Sequence, residues 1–223
     1  MAATTTRTKA WTPSLLFAGA LLTSAPIWWQ FAIPIFDGAH LPNHRGHVAT
    51  IIGHAIGGTF MIWAGAGALF IGWTGRLRRL HKWFGYAYLG GGSLGATVAL
   101  WLSTHLTHPP LSVGVATGTL AAFWLVFAGM ALRAAVNRRF DSHREWVIRS
   151  YVLTWTFVGC RIAQQVPLFS ALKDEGVTAG IWLYWVAPIL ICEVGLQWAR
   201  GGRDGPRRGV AGRAGTVFRE RDA

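Results

Sequence analysis

The stretch GRLRRLHKWFGYAY, Gly75 to Tyr88, decides how this chain is built: a bare basic turn, a histidine, then aromatic and glycine residues opening a hydrophobic segment. It is echoed by NRRFDSHREWVIRSY, Asn137 to Tyr151, again with two arginines, a histidine followed by a basic residue, an aromatic, and a tyrosine entering an apolar run. At each point one long apolar segment ends and another begins. The two stretches therefore read as corresponding corners of one helical bundle, each carrying a histidine to the same depth.

The segments around these corners are those of a membrane protein. Of 223 residues, 52% are hydrophobic and 13% charged, about half the charge of an ordinary soluble domain. Thirteen tryptophans suit the edges of a bilayer, where amphipathic rings collect. Six apolar spans are predicted, from about Trp11 to Phe36, Val48 to Trp73, Trp83 to Leu102, Val113 to Val136, Trp146 to Phe169 and Ala179 to Ala199. At about 1.5 Å per residue, such lengths cross a hydrocarbon core of about 30 Å. The expected fold is all-α: a polytopic bundle of about six transmembrane helices over residues 11–199. A polar leader, residues 1–10, precedes it.

Local signals refine these bounds. Pro26 and Pro34 should kink or fray the first span. Cleavage of that span as a signal peptide is the competing reading, opposed by its length and by the lack of a clean small-x-small site. Ser142 with Glu145 three residues on predicts a capping box that puts His143 in the first turn of the fifth helix. The tail, residues 200–223, holds seven arginines, three acids and six glycines without apolar periodicity, and is read as disordered and cytoplasmic. Cys160 and Cys192 lie inside apolar runs and read as buried free thiols.

Basic residues set the orientation. Two lie in the leader, four at the first corner (Arg76, Arg78, Arg79, Lys82), five at the second (Arg133, Arg138, Arg139, Arg144, Arg149) and seven in the tail. The other side has only Arg45 and Lys173. By the positive-inside rule both termini and both corners are cytoplasmic, in the inner (plasma) membrane. The net charge of +12 is thus a topology signal, and no nucleic-acid partner is implied.

Polar residues within the spans need a partner, water or a role. They form two layers. The inner holds His81, His143, Arg149 and Glu193; the outer holds His54, Arg161, Gln164 and Gln165. Glu193 is the one carboxylate within any predicted span and lies at the level of Arg149, so a neutralising pair that fixes helix packing accounts for both. His81 and His143 are either interfacial residues or ligands; a helix N-terminus disfavours the imidazolium and keeps the metal-binding neutral form. His54 lies deeper, with Gly58 leaving space one turn on, and either bonds a neighbouring helix or serves a site. Gly53 with Gly57, and Gly85, Gly92 and Gly95, predict close helix packing. His40, His44, His47, His105 and His108 sit mostly in outer loops without zinc-ligand spacing.

The run His54-Ala-Ile-Gly-Gly58, the turn Leu80 to Tyr88, Trp124, and His143 to Tyr151 followed by Arg161 resemble the predicted membrane proteins of the family DUF2306, over roughly His47 to Arg161. The resemblance implies a bacterial multispan protein and brings no established reaction. Gly67 to Phe70 departs from the proline and glutamine the family tends to carry at the end of that span.

Three functions stay open. The first is a small b-type-cytochrome-like redox protein, with one haem b held by His81 and His143, His54 as a further candidate, and a quinone or other redox partner. The second is a non-catalytic accessory or assembly protein whose polar residues lock its bundle. The third is a transporter or sensor using Arg149 and Glu193, disfavoured because no inverted repeat is evident.

Overall fold

The computed structural model describes residues 18–19, 22, 47–75, 77–105 and 110–204. The leader, nearly all of the first span and the end of the tail lie outside the described residues. Those described fold entirely as helices and turns, with no strand among them: α1 (Val48–Thr74), α2 (Arg78–His105), α3 (Leu111–Val136), α4 (Phe140–Thr154), α5 (Thr156–Ala163), α6 (Pro167–Ala171) and α7 (Lys173–Asp204). Successive long helices run antiparallel. Both basic stretches fall at one end of the bundle, the corner end, and α1, α3 and α7 start at the other, the far end.

The corners are built alike, as their sequences predict. Gly75 adopts a left-handed conformation (φ 66°) and its N–H closes α1 on the Ile71 carbonyl at 2.9 Å, the usual service of glycine after a helix. Leu77 (φ 54°) and Arg138 (φ 56°) are left-handed as well, which costs a residue with a side chain roughly 1 kcal/mol or more. The histidines that follow share a device. His81 donates Nδ1–H to the Ala68 carbonyl at 3.1 Å and His143 donates Nδ1–H to the Ala131 carbonyl at 2.9 Å. Each ring thereby ties the start of its helix to the end of the preceding one.

Glycine sets how closely α1 and α2 cross. A Cβ on Gly57 would lie 2.7 Å from the Gly91 carbonyl oxygen and 2.9 Å from the Gly95 nitrogen, while Gly53 and Gly85 face open space. The contact is therefore Gly57 of the predicted Gly53–Gly57 step against the predicted Gly95 and against Gly91, while Gly53 and Gly85 take no part. The helix pair α3–α4 packs on this pair, and α7 lies against α3, α4 and α5.

A buried hydroxyl network closes the middle. Tyr88 donates to Ser150 Oγ at 2.9 Å, the Trp124 indole N–H donates to Thr154 Oγ1 at 3.1 Å, and Tyr151 donates to the Ile62 carbonyl at 3.2 Å. Four helices, α1 to α4, are joined by these bonds. In a medium without water such groups must find protein partners. The Trp185 indole N–H, buried on α7, is the one buried side-chain polar atom without a partner among the described residues.

Three predicted boundaries are corrected. The fifth span is not one helix to Phe169: α4 passes through a turn at Trp155 into α5, which ends at Ala163, and Pro167 opens the separate α6. The capping box does not form. Helix α4 starts two residues before Ser142, Arg139 is its N-cap, and no side chain caps it; Glu145 faces arginines instead. Finally, α7 continues through Arg200 to Asp204, into the stretch read as disordered, and includes Pro188.

The outer surface is apolar where it would meet lipid. Val126 is 59% exposed, Ile191 72% and Val194 68%, an arrangement unfavourable in water. Among the described residues three helices, α1, α3 and α7 through Gly201, are long and apolar enough to cross a membrane. Trp73, Trp83 and Trp198 project at the corner end, at the level where indoles prefer the interface.

Candidate functional site

Two places gather the chemistry-bearing residues. At the corner end, His81 and His143 face one another with ring centroids 6.3 Å apart and planes at 83°. A carbonyl oxygen can only accept, so the bonds from both Nδ1 atoms place the ring proton there. In the neutral ring each Nε2 would then carry the lone pair, the form that ligates a metal. No group of three or more His, Cys, Asp or Glu side chains suited to a metal ion occurs among the described residues. Two imidazoles alone do not make a structural zinc site, which takes four protein ligands. They are sufficient for an iron whose macrocycle supplies the other four. His81 and His143 are thus the residues that would hold such a group.

Beside this pair lies an ionic network. Arg149, buried on α4, donates to Glu193 Oε2 of α7 through Nε at 2.9 Å and Nη2 at 2.7 Å. Its Nη1 stands 3.7 Å from Glu145, one turn back, and its guanidinium lies 4.9 Å from the Trp146 ring centroid. Glu145 also receives both Arg200 Nε and Nη2, and Glu193 accepts from Gln197 at 2.8 Å. The sequence pairs Arg149 with Glu193 because they share a depth. It misses Glu145 and Arg200, since a residue assigned to a cap and a residue assigned to a free tail offered no reason to meet.

The Arg200 hydrogen bonds hold the Glu145 carboxyl below its usual range, against the smaller opposing effect of burial. A carboxylate depressed in the folded state contributes stability above its unfolded pKa and loses it as pH falls through the folded value. Acidification through that window should therefore lower the melting temperature, and Glu145→Gln should flatten the acid limb of the profile.

The second place is a cavity of about 450 Å³ in the far half of the bundle. It brings together three of the four outer-layer residues, His54, Arg161 and Gln164, with Trp124 at its inner end and Asp174 near the start of α7. His54 donates Nδ1–H to the Gly95 carbonyl at 2.8 Å and meets Phe157 edge-on at 5.6 Å between centroids. The same tautomer logic leaves its Nε2 bare. Gln165 is exposed and does not line the cavity. Thr154 and Thr156 do line it, but their hydroxyls donate to the Ser150 and Tyr184 carbonyls.

An all-helical chain with apolar outer faces and membrane-length helices is an integral membrane protein of the helical-bundle class. Residues 51–195 match the family described as predicted membrane protein (DUF2306), and the chain belongs to that family. No curated protein and no solved structure matches it.

Proposed function

We propose that this protein is a b-type-cytochrome-like redox protein that crosses the plasma membrane six times, with His81 and His143 as the axial ligands of a single haem b. The observation that carries the reading is the histidine pair: two imidazoles on different helices, each with Nδ1 fixed on a backbone carbonyl, with ring centroids 6.3 Å apart. A bound haem would supply a one-electron couple. The chain's own part is to hold both rings by their Nδ1 bonds and to supply basic residues at the same corners, among them Arg78, Arg79 and Arg144, suited to anionic ring substituents. A membrane quinone is the redox partner the reading calls for.

Protein purified in mild detergent after expression with ample haem should carry about one haem. Alanine at His81 or His143 should abolish the reduced-minus-oxidised signal, and alanine at His105 should leave it intact. A colourless, well-folded wild type removes the redox reading. The closed ionic network of Arg149, Glu145, Glu193 and Arg200 favours the second reading, a non-catalytic accessory protein whose polar groups lock its helices, and that reading would then stand.

Both termini and both corners are cytoplasmic in this proposal, and Lys173 faces the outside. In intact cells of a cysteine-free variant, a cysteine at Lys173 should react with an impermeant maleimide and one at Arg78 should not. Equal labelling contradicts the topology.

A further inference from the structure

We infer that the far-end cavity binds the ring of a membrane quinone or quinol, with His54 as its polar anchor. The inference deepens the redox reading and rests on it for its purpose, although binding itself requires no haem.

Size and shape come first. A volume of about 450 Å³ lies within the range of about 300–1,000 Å³ usual for small-molecule sites. The cavity reaches along α3 from Val113 to Trp124, eleven residues or about 16 Å of helix. That is longer than one substituted ring and leaves room for the beginning of an apolar tail. Its walls are mainly apolar, with Met61, Leu120, Leu153 and Ile181 beside the aromatic faces of Trp124 and Phe157.

The polar groups then narrow the chemistry. The Trp124 indole N–H and the hydroxyl protons of Thr154 and Thr156 already have protein acceptors. His54 is different, because its Nδ1 proton is committed to Gly95, and in the neutral ring its Nε2 can only accept. A ligand hydroxyl satisfies that nitrogen. Gln164, in the turn after α5, adds an amide donor to the lining, which suits a ligand carbonyl or hydroxyl oxygen. Arg161 and Asp174 offset one another in charge, so the lining as a whole favours a neutral guest. A ring carrying oxygens on opposite edges, a hydroxyl in one oxidation state and a carbonyl in the other, meets these demands. An acyl chain does not, since it would leave His54 Nε2 facing hydrocarbon.

The cavity lies toward the far end. His54 lies six residues, about 9 Å, into α1, and Val113 and Asp174 stand within the first turns of α3 and α7. The ring would thus sit below the interface, a depth a lipid-soluble quinone can reach.

The test is calorimetric titration of decylubiquinone into the full chain in mild detergent with added phospholipid, with gel filtration and circular dichroism confirming that each variant folds. Saturable binding is expected for the wild type, unchanged in His105→Ala and at least tenfold weaker in His54→Ala. Ala121→Phe, which fills the cavity from α3 without touching the His54–Gly95 bond, should weaken it equally and serves as the deciding variant should His54→Ala fail to fold. Uptake identical in wild type and Ala121→Phe, or identical to that of protein-free micelles, overturns the inference. So does a phospholipid retained in the cavity that the quinone cannot displace, as read by native mass spectrometry. Because heat rather than colour is measured, a colourless protein that binds quinone ends the haem reading and supports this one. A haem-containing protein that does not bind ends this one alone.

Discussion

Replacing Gly92 by leucine should abolish the folded protein, whereas the same change at Gly90, two residues away on α2, should leave it intact. A Cβ on Gly92 would fall inside the Trp124 ring, while one on Gly90 meets nothing within 4 Å. Trp124 cannot easily move aside. It is 3% exposed, its indole N–H is bonded to Thr154 at 3.1 Å, and it stands edge-on to Tyr88 at 5.5 Å between centroids. Overpacking a core by single methylenes costs about 1–3 kcal/mol, so Gly92→Ala should already fall in that range and leucine should exceed it. At Gly90 an alanine should be neutral or stabilising by up to about 1 kcal/mol, because alanine is the better helix former. Yield of monodisperse protein and melting temperature in detergent would show the contrast. Trp124→Phe should recover part of the loss in Gly92→Ala, and if it recovers none, the clash with the indole is not the cause.

The glycines also illustrate what a sequence can and cannot reveal here. Glycine-rich runs announce close packing, but which glycine makes the contact depends on the rotation of each helix against its neighbour. Gly57, Gly91 and Gly95 make the crossing and Gly53 does not, a choice that periodicity alone leaves open in helices apolar on nearly every side. The corners were legible for the opposite reason. Charges, a turn and a histidine are rare in an apolar chain, so their repetition locates two equivalent places, and the structure adds the hydrogen bonds from His81 and His143 to the preceding helices. Similarly, rise per residue placed His54 and Arg161 at one depth, and they line one cavity. Depth is a one-dimensional quantity that sequence carries. That a void, rather than packed side chains, lies between those residues is a three-dimensional fact set by Gly58, Ala96, Ala99 and Ala121 across three helices. The break at Trp155 had no warning of its own, since no proline, glycine or charged residue lies within three residues of it; the Pro167 signal lay a dozen residues further on.

Removing Glu193 should be the most damaging single change to the ionic network, though less damaging than loss of a sole counter-ion. Arg149 is buried, with 9% of its side chain exposed, and its two shortest hydrogen bonds both go to Glu193. Breaking a buried ion pair by deleting one partner commonly costs about 3–5 kcal/mol, because the remaining charge is stranded. Here Glu145 stands 3.7 Å from Arg149 and can turn further toward it. Glu193 is itself 42% exposed at its side chain, so it gives up less burial than its partner. Glu193→Ala should therefore cost about 3 kcal/mol, at the lower edge of that range. Glu193→Ala combined with Glu145→Ala should cost more than the two single losses added, since each carboxylate covers for the other. Arg149→Leu in the Glu193→Ala background should restore part of the stability by removing the stranded charge. These relations are measurable as a set of double-mutant cycles by thermal or denaturant unfolding in one detergent. Strict additivity of the two carboxylate losses would show that Glu145 and Glu193 serve Arg149 independently, and the network would reduce to separate pairs.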